Sequence, residues 1–137
     1  MYEPIRTKSV HTVAEDAHAE LPRRTREEEL DIRLAGHLTA LLTVTDELRV
    51  LAPSAALDTA AHELAAHAAR LLSGRAPLRA EPTAARDDAA HVASLHARAH
   101  TLAGTALAVA SSRGDEAVTA LMTERLAAHT ATQAVPA

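Results

Sequence analysis

The sequence predicts an all-α protein: an antiparallel four-helix bundle with an additional short N-terminal helix. Three observations predict it. Alanine supplies 34 and leucine 18 of the 137 residues, and both stand high on the helix propensity scale. Aromatic residues, which strands favour, amount to a single Tyr. Leucines recur at spacings of three and four along stretches separated by Pro and Gly, the period of an amphipathic helix.

The elements follow in order. "SVHTVAEDAHAEL", Ser9 to Leu21, reads as a short helix, with Ser9 as N-cap and Pro22 as stop. The second segment runs from about Arg26 to Leu51. Thr25 with Glu28 three residues on is a capping-box pattern, and Leu30, Leu34, Leu38, Leu41, Val44, Leu48 and Leu51 form the apolar stripe. "APS" breaks it, and Ser54 caps a third segment, Ala55 to Leu72, with Leu57, Ala61, Leu64, Ala68 and Leu71 on one face and Ser73-Gly74 as a glycine stop. The linker "RAPLRAEP" is the one long connection, and Leu78 is expected to pin it to the core.

The fourth segment starts near Thr83 and continues to Arg113, with Val92, Leu95, Leu102 and Val109 marking its face and Ala99, Ala103 and Ala106 filling the spaces. Gly114 ends it. Asp115 caps the fifth, about Glu116 to Thr130, with Val118, Leu121, Met122 and Leu126 inward. The tail "TATQAVPA" is expected to fray. The organisation is therefore an N-terminal arm with its short helix (1–24), a four-helix bundle (25–132) and a frayed tail (133–137).

Composition excludes several function classes. With no Phe or Trp, the chain lacks the stacking platforms of single-strand nucleic-acid readers and the usual aromatic lining of a small-molecule pocket. Net charge is -4 and no basic stripe exists; Arg23, Arg24 and Arg26 are followed at once by Glu27, Glu28 and Glu29. Nucleic acid is therefore not the expected partner. The helix-turn-helix reading of the second and third segments fails because Leu64, Ala65 and Ala66 stand where base-reading side chains belong. There is no cysteine, hence no disulfide or thiolate chemistry. With no signal-like apolar region at the start and no long uncharged apolar stretch, the expectation is a cytoplasmic protein with no stable membrane insertion.

"HELAAH" looks like the H-E-x-x-H helix of zinc proteases, but His62 and His67 are one residue too far apart. Five residues turn a helix by about 500°, which leaves the two side chains about 140° apart. The histidine pair with i, i+4 spacing is His96 and His100 in "HARAH". It resembles the H-x-x-x-H helix of hemerythrin-like di-iron bundles. That family also needs H-x-x-x-E on another helix, and Ala66 and Leu71 stand four after His62 and His67. The E-x-x-H pairs of ferritin-like bundles are absent too, so neither family is assigned.

Counting residues from the turns puts His37, His67 and His91 on one layer, if every consecutive helix pair is antiparallel. Three inward imidazoles and a water make a catalytic zinc set. A lower-ranked metal set is His96, His100 and His129. No catalytic residue and no cofactor is expected by default; the histidines make a divalent transition metal (Zn, Ni or Fe) or haem the alternative. The favoured expectation is a small non-catalytic interaction and oligomerisation module. It rests on Ala89, Ala93, Ala97 and Ala108, which lie off the leucine stripe and invite a homodimer or a helical protein partner. Reversible binding of amphipathic helices to a lipid or granule surface ranks third, disfavoured by the acidic balance and the missing Trp and Phe.

Overall fold

The computed structural model describes residues 24–82 and 89–134, and every regular element in them is a helix. These are α1 (Arg26–Leu51), α2 (Ala55–Leu71), α3 (Ala89–Arg113) and α4 (Glu116–Ala134). The expected N-terminal helix, the stretch 83–88 expected to open the fourth segment, and residues 135–137 lie outside the described residues.

Local chemistry sets the helix ends. The Thr25 hydroxyl accepts the Glu28 N–H at 3.1 Å while the Glu28 carboxylate accepts the Thr25 N–H at 2.8 Å, satisfying two donors that a helix start otherwise leaves open. Ser54 accepts the Leu57 N–H at 3.1 Å at the head of α2, and Asp115 accepts the Val118 N–H at 3.1 Å at the head of α4. Gly74, at φ 90°, closes α2 by donating to the Ala69 carbonyl at 2.7 Å. This left-handed position is inexpensive only for glycine. Helix α4 runs to Ala134, beyond the expected helix end at Thr130; no Gly or Pro interrupts it before Pro136.

Helix α1 packs on α2 and α3, and α3 packs on α4. Specific pairs fix the directions. Arg49, late in α1, meets Asp58, early in α2, at 2.8 Å. Arg113, ending α3, meets Asp31, early in α1, at 2.9 Å. Arg70, ending α2, meets Asp115, heading α4, at 2.9 Å. His96, early in α3, meets His129, late in α4, at 2.8 Å. Each of these helix pairs is antiparallel. It follows that α2 and α3, consecutive in the chain, run in the same direction. The segment between them must therefore travel the length of the bundle instead of making a tight turn, the long-crossover variant of a four-helix bundle.

What holds that segment differs from expectation. Leu78 is 89% exposed and does not pin it. Arg79 does: its Nη2 and Nε donate to the two carboxylate oxygens of Asp46 at 2.7 and 3.0 Å, a bidentate charge-assisted pair.

The core is asymmetric. Helix α1 supplies its bulk with Leu34, Leu38, Leu41, Leu42 and Leu48, all essentially without solvent contact. Helix α3 faces them with Ala99, Ala103, Ala106 and Ala110, also fully buried, while Val92, Leu95, Leu102 and Val109 are only partly buried around the cluster. The expected leucine face of α3 is thus its flank, and the alanines are its centre. Small side chains let α3 approach α1 and α4 closely, and the long α1 leucines fill the space that remains.

Candidate functional site

Burial picks out the chemistry. Five polar or charged residues are buried among the described residues: Thr45, Asp46, His96, Arg125 and His129. Two of these have local explanations. The Thr45 hydroxyl donates to the Leu41 carbonyl at 2.8 Å, and Asp46 is held by Arg79 and by Arg49 at 3.0 Å. The other three stand together.

His96 belongs to the inner stripe of α3, one turn before Ala99. His129 and Arg125 belong to the inner stripe of α4, continuing the series Val118, Met122, Arg125, His129 at spacings of four, three and four. The antiparallel α3–α4 hairpin brings the two imidazoles together with their Nδ1 atoms 2.8 Å apart, ring centroids 5.0 Å apart and planes tilted by 49°. One Nδ1 carries the shared proton and the other its lone pair. Burial pushes the His129 pKa down to about 4, with the neighbouring charges of His96, Arg125 and His100 adding to the effect. Burial also lowers His96. Both are therefore neutral at pH 7.

Two buried atoms in this group have no hydrogen-bond partner: Nε2 of His129 and Nε of Arg125. Arg125 is 4% exposed, and its one ion pair among the described residues, Nη2 to the exposed Glu124 carboxylate, is long at 3.4 Å. A buried guanidinium with so little compensation is unusual, because burying an unpaired charge is costly. The side chains line a recess of about 220 Å³ together with Ala52, Ser54, Ala56, Leu57, Ala128 and Thr132. The N-terminal turn of α2 thus borders it.

No protein-family model matches the chain, and no curated protein and no solved structure is significantly similar to it.

The expected histidine sets divide sharply. His37, His67 and His91 do not share a layer. His91 lies in the first turn of α3, at the bundle end where α1 hands over to α2, and the Asp31–Arg113 pair fixes His37 nearer the opposite end. At 1.5 Å per residue the two are about 24 Å apart along the axis. The parallel course of α2 and α3 is the reason: the counting assumed a tight turn after Gly74. His67, half-buried, has its Nδ1 3.0 Å from Nη2 of Arg70. His62 is exposed, and Asp58, four residues before it, pairs with Arg49.

Of the second set, His96 and His129 do meet, and His100 acts on His129 electrostatically. His96 is buried, because the alanine face of α3, not its leucine face, turns inward. Among the described residues, no group of three or more His, Asp or Glu side chains is arranged to hold a metal ion. Arg125 escaped the sequence reading altogether. Its signal was there: a charged residue at the third position of the α4 apolar stripe.

The second feature is a surface. From Ala89 to Ser112 the one Asp, Glu, Lys or Arg is Arg98. Ala89, Ala93, Ala97 and Ala108 are all exposed on α3. Thr101 and Thr105 are exposed there too, with hydroxyls donating back to the carbonyls of Ala97 and Thr101 at 3.2 and 3.1 Å. This face is smooth, nearly neutral, and internally satisfied in its threonine donors. No described helix is long and apolar enough to cross a membrane.

Proposed function

We propose that the chain is a non-catalytic helical-bundle module that pairs with a second copy of itself through the outer face of α3. The observation that carries this is the near-absence of charge along that face. Solvated helix faces elsewhere in the bundle carry charges, such as Glu27, Glu28, Glu29 and Arg33 on α1 and Asp58 and Arg70 on α2. A face of Ala, Ser and Thr meets its own copy across a twofold axis with few charges to desolvate and no bulk to accommodate. The threonine hydroxyls already have acceptors, so contact strands no donor there.

Sedimentation velocity over a dilution series tests this. A dimer is expected, and Ala97→Glu, which adds a charge at an exposed position without touching the core, should return monomers of unchanged helicity. A strict monomer at every concentration, or a dimer indifferent to Ala97→Glu, would overturn the proposal.

A second reading, a histidine-based metal- or haem-binding bundle, is supported by one observation, the 2.8 Å approach of the His96 and His129 Nδ1 atoms. Tetrahedral zinc ligands at about 2.0–2.1 Å need only a slightly wider pair. The adjacent Arg125 charge weighs against a cation there. Elemental analysis of protein purified without an affinity tag decides it, with His129→Leu as the control.

A further inference from the structure

The recess between the head of α2 and the late part of α4 is lined by groups of one electrostatic kind. Arg125 contributes a guanidinium that is 4% exposed; among the described residues its Nε is unpartnered and Glu124 is its one ion-pair partner, at 3.4 Å. His129, 1% exposed, contributes an unpartnered Nε2. Ser54, Ala56 and Leu57 bring up the first turn of α2, where the Leu57 N–H is taken by the Ser54 hydroxyl, the Ala55 and Ala56 N–H groups lack intrahelical acceptors and the dipole end is positive. Thr132 adds a hydroxyl-bearing side chain, although its Oγ1 donates to the Ala128 carbonyl at 3.1 Å. Among the described residues, no Asp or Glu lines the recess. Asp58, in the first turn of α2, is engaged by Arg49 at 2.8 Å.

We propose that this recess is a binding site for a small oxyanion, held by the Arg125 guanidinium, the Nε2–H of His129 and the N-terminal turn of α2. The histidine pair supplies the tautomer. When His96 donates its Nδ1–H to the Nδ1 lone pair of His129, the proton of neutral His129 sits on Nε2, the atom that otherwise has no partner. The imidazole then presents an N–H beside the guanidinium, and His96 acts as a positioning residue that sets which nitrogen donates. An oxyanion accepts from both, and it gives the buried charge of Arg125 a closer counter-charge than the exposed Glu124 carboxylate at 3.4 Å. The space selects for size. At about 220 Å³ the recess is smaller than the roughly 300–1,000 Å³ of ordinary organic-ligand pockets. A phosphate or a short carboxylate is of the right order. This site uses the inner faces of α3 and α4 and is independent of the outer face of α3.

The test is a titration of the full chain with sodium phosphate, and separately with sodium acetate, against sodium chloride at matched ionic strength and pH 7. Thermal unfolding and the Arg125 Nε–H NMR signal are the readouts. A saturable rise in Tm with a concerted shift of that signal is expected for phosphate, for acetate or for both, and the arm that responds identifies a tetrahedral or a planar ligand. Arg125→Met should weaken the response at least about tenfold, the value of one charge-assisted hydrogen bond. Its circular dichroism shows that the bundle is intact, and His96→Phe, which leaves Arg125 in place but frees the His129 tautomer, should weaken binding by less. If phosphate and acetate move the wild-type protein no more than chloride does, the recess holds water alone and the proposal is wrong. It is equally wrong if folded Arg125→Met binds with wild-type affinity.

Discussion

Asp46 on α1 and Arg125 on α4 are both buried charges, at 7% and 4% exposure, and they are compensated in opposite ways. Asp46 accepts from two arginines, one across the long linker and one a turn further along its own helix. Arg125 has one long contact to the carboxylate of its chain neighbour. The first arrangement is complete within the chain and acts as a latch, tying the crossover segment to α1. The second is incomplete among the described residues. The comparison teaches that burial of a charge does not by itself mark a site; burial without compensation does.

Four perturbations break or sharpen that contrast. Asp46→Ala should have the largest effect. It strands Arg79, leaves Arg49 with Asp58 alone and releases the linker, for a loss of about 3–4 kcal/mol measured by chemical denaturation. The partly exposed arginines keep the cost from going higher.

Acid comes next. His129 titrates near 4 in the folded protein against 6.5 as its ordinary value. The unfolded chain therefore takes up a proton first, and stability falls as pH drops from about 6.5 towards 4, by up to about 3 kcal/mol. Above pH 7 this group contributes no pH dependence. His129→Leu should flatten that limb in a stability profile.

Arg125→Met should act in the opposite sense to Asp46→Ala: in the absence of ligand, neutral or stabilising by about 1–2 kcal/mol, since an undercompensated buried charge is replaced by an apolar chain of similar length. A loss as large as that of Asp46→Ala would mean that Arg125 is as fully compensated as Asp46. The smallest change is expected from Asp31→Ala. It breaks the partly exposed pair with Arg113 for about 0.5 kcal/mol in a thermal melt.

Much of the fold was legible because its signals are local. Thr25 with Glu28, Ser54, Gly74, Gly114 and Asp115 each act within a few residues, so the bounds of α1, α2 and the start of α4 could be read from chemistry that needs no tertiary partner. The leucine stripe of α1 was equally plain, because one helix with strong amphipathic spacing has only one way to face a core. Helix α3 was ambiguous. It carries two overlapping faces, one of Val and Leu and one of Ala, and hydrophobicity alone favours the larger residues. Steric fit reverses that choice, since the space beside α1 is already filled by leucine.

The candidate site was legible by half. His96 and His100 could be picked out by their i, i+4 spacing, with His129 in the same lower-ranked set, but the preferred set of His37, His67 and His91 depended on the direction of α3, and no residue in the linker declares whether the chain turns back or crosses over. Arg125 needed no tertiary knowledge to find, only attention to a charge on an apolar stripe.

By itself, then, the sequence determined helix identity, caps and the leucine face of α1, all of which follow from interactions within a turn or two of the chain. The tertiary structure alone decided that α2 and α3 run parallel, that alanine rather than leucine is the centre of α3, and that Arg125 and two histidines share one recess. Those outcomes depend on which helix fills the space next to which. That competition among packings is settled by volume and by long-range pairs such as Arg79 with Asp46 and Arg113 with Asp31, across separations that no local pattern encodes.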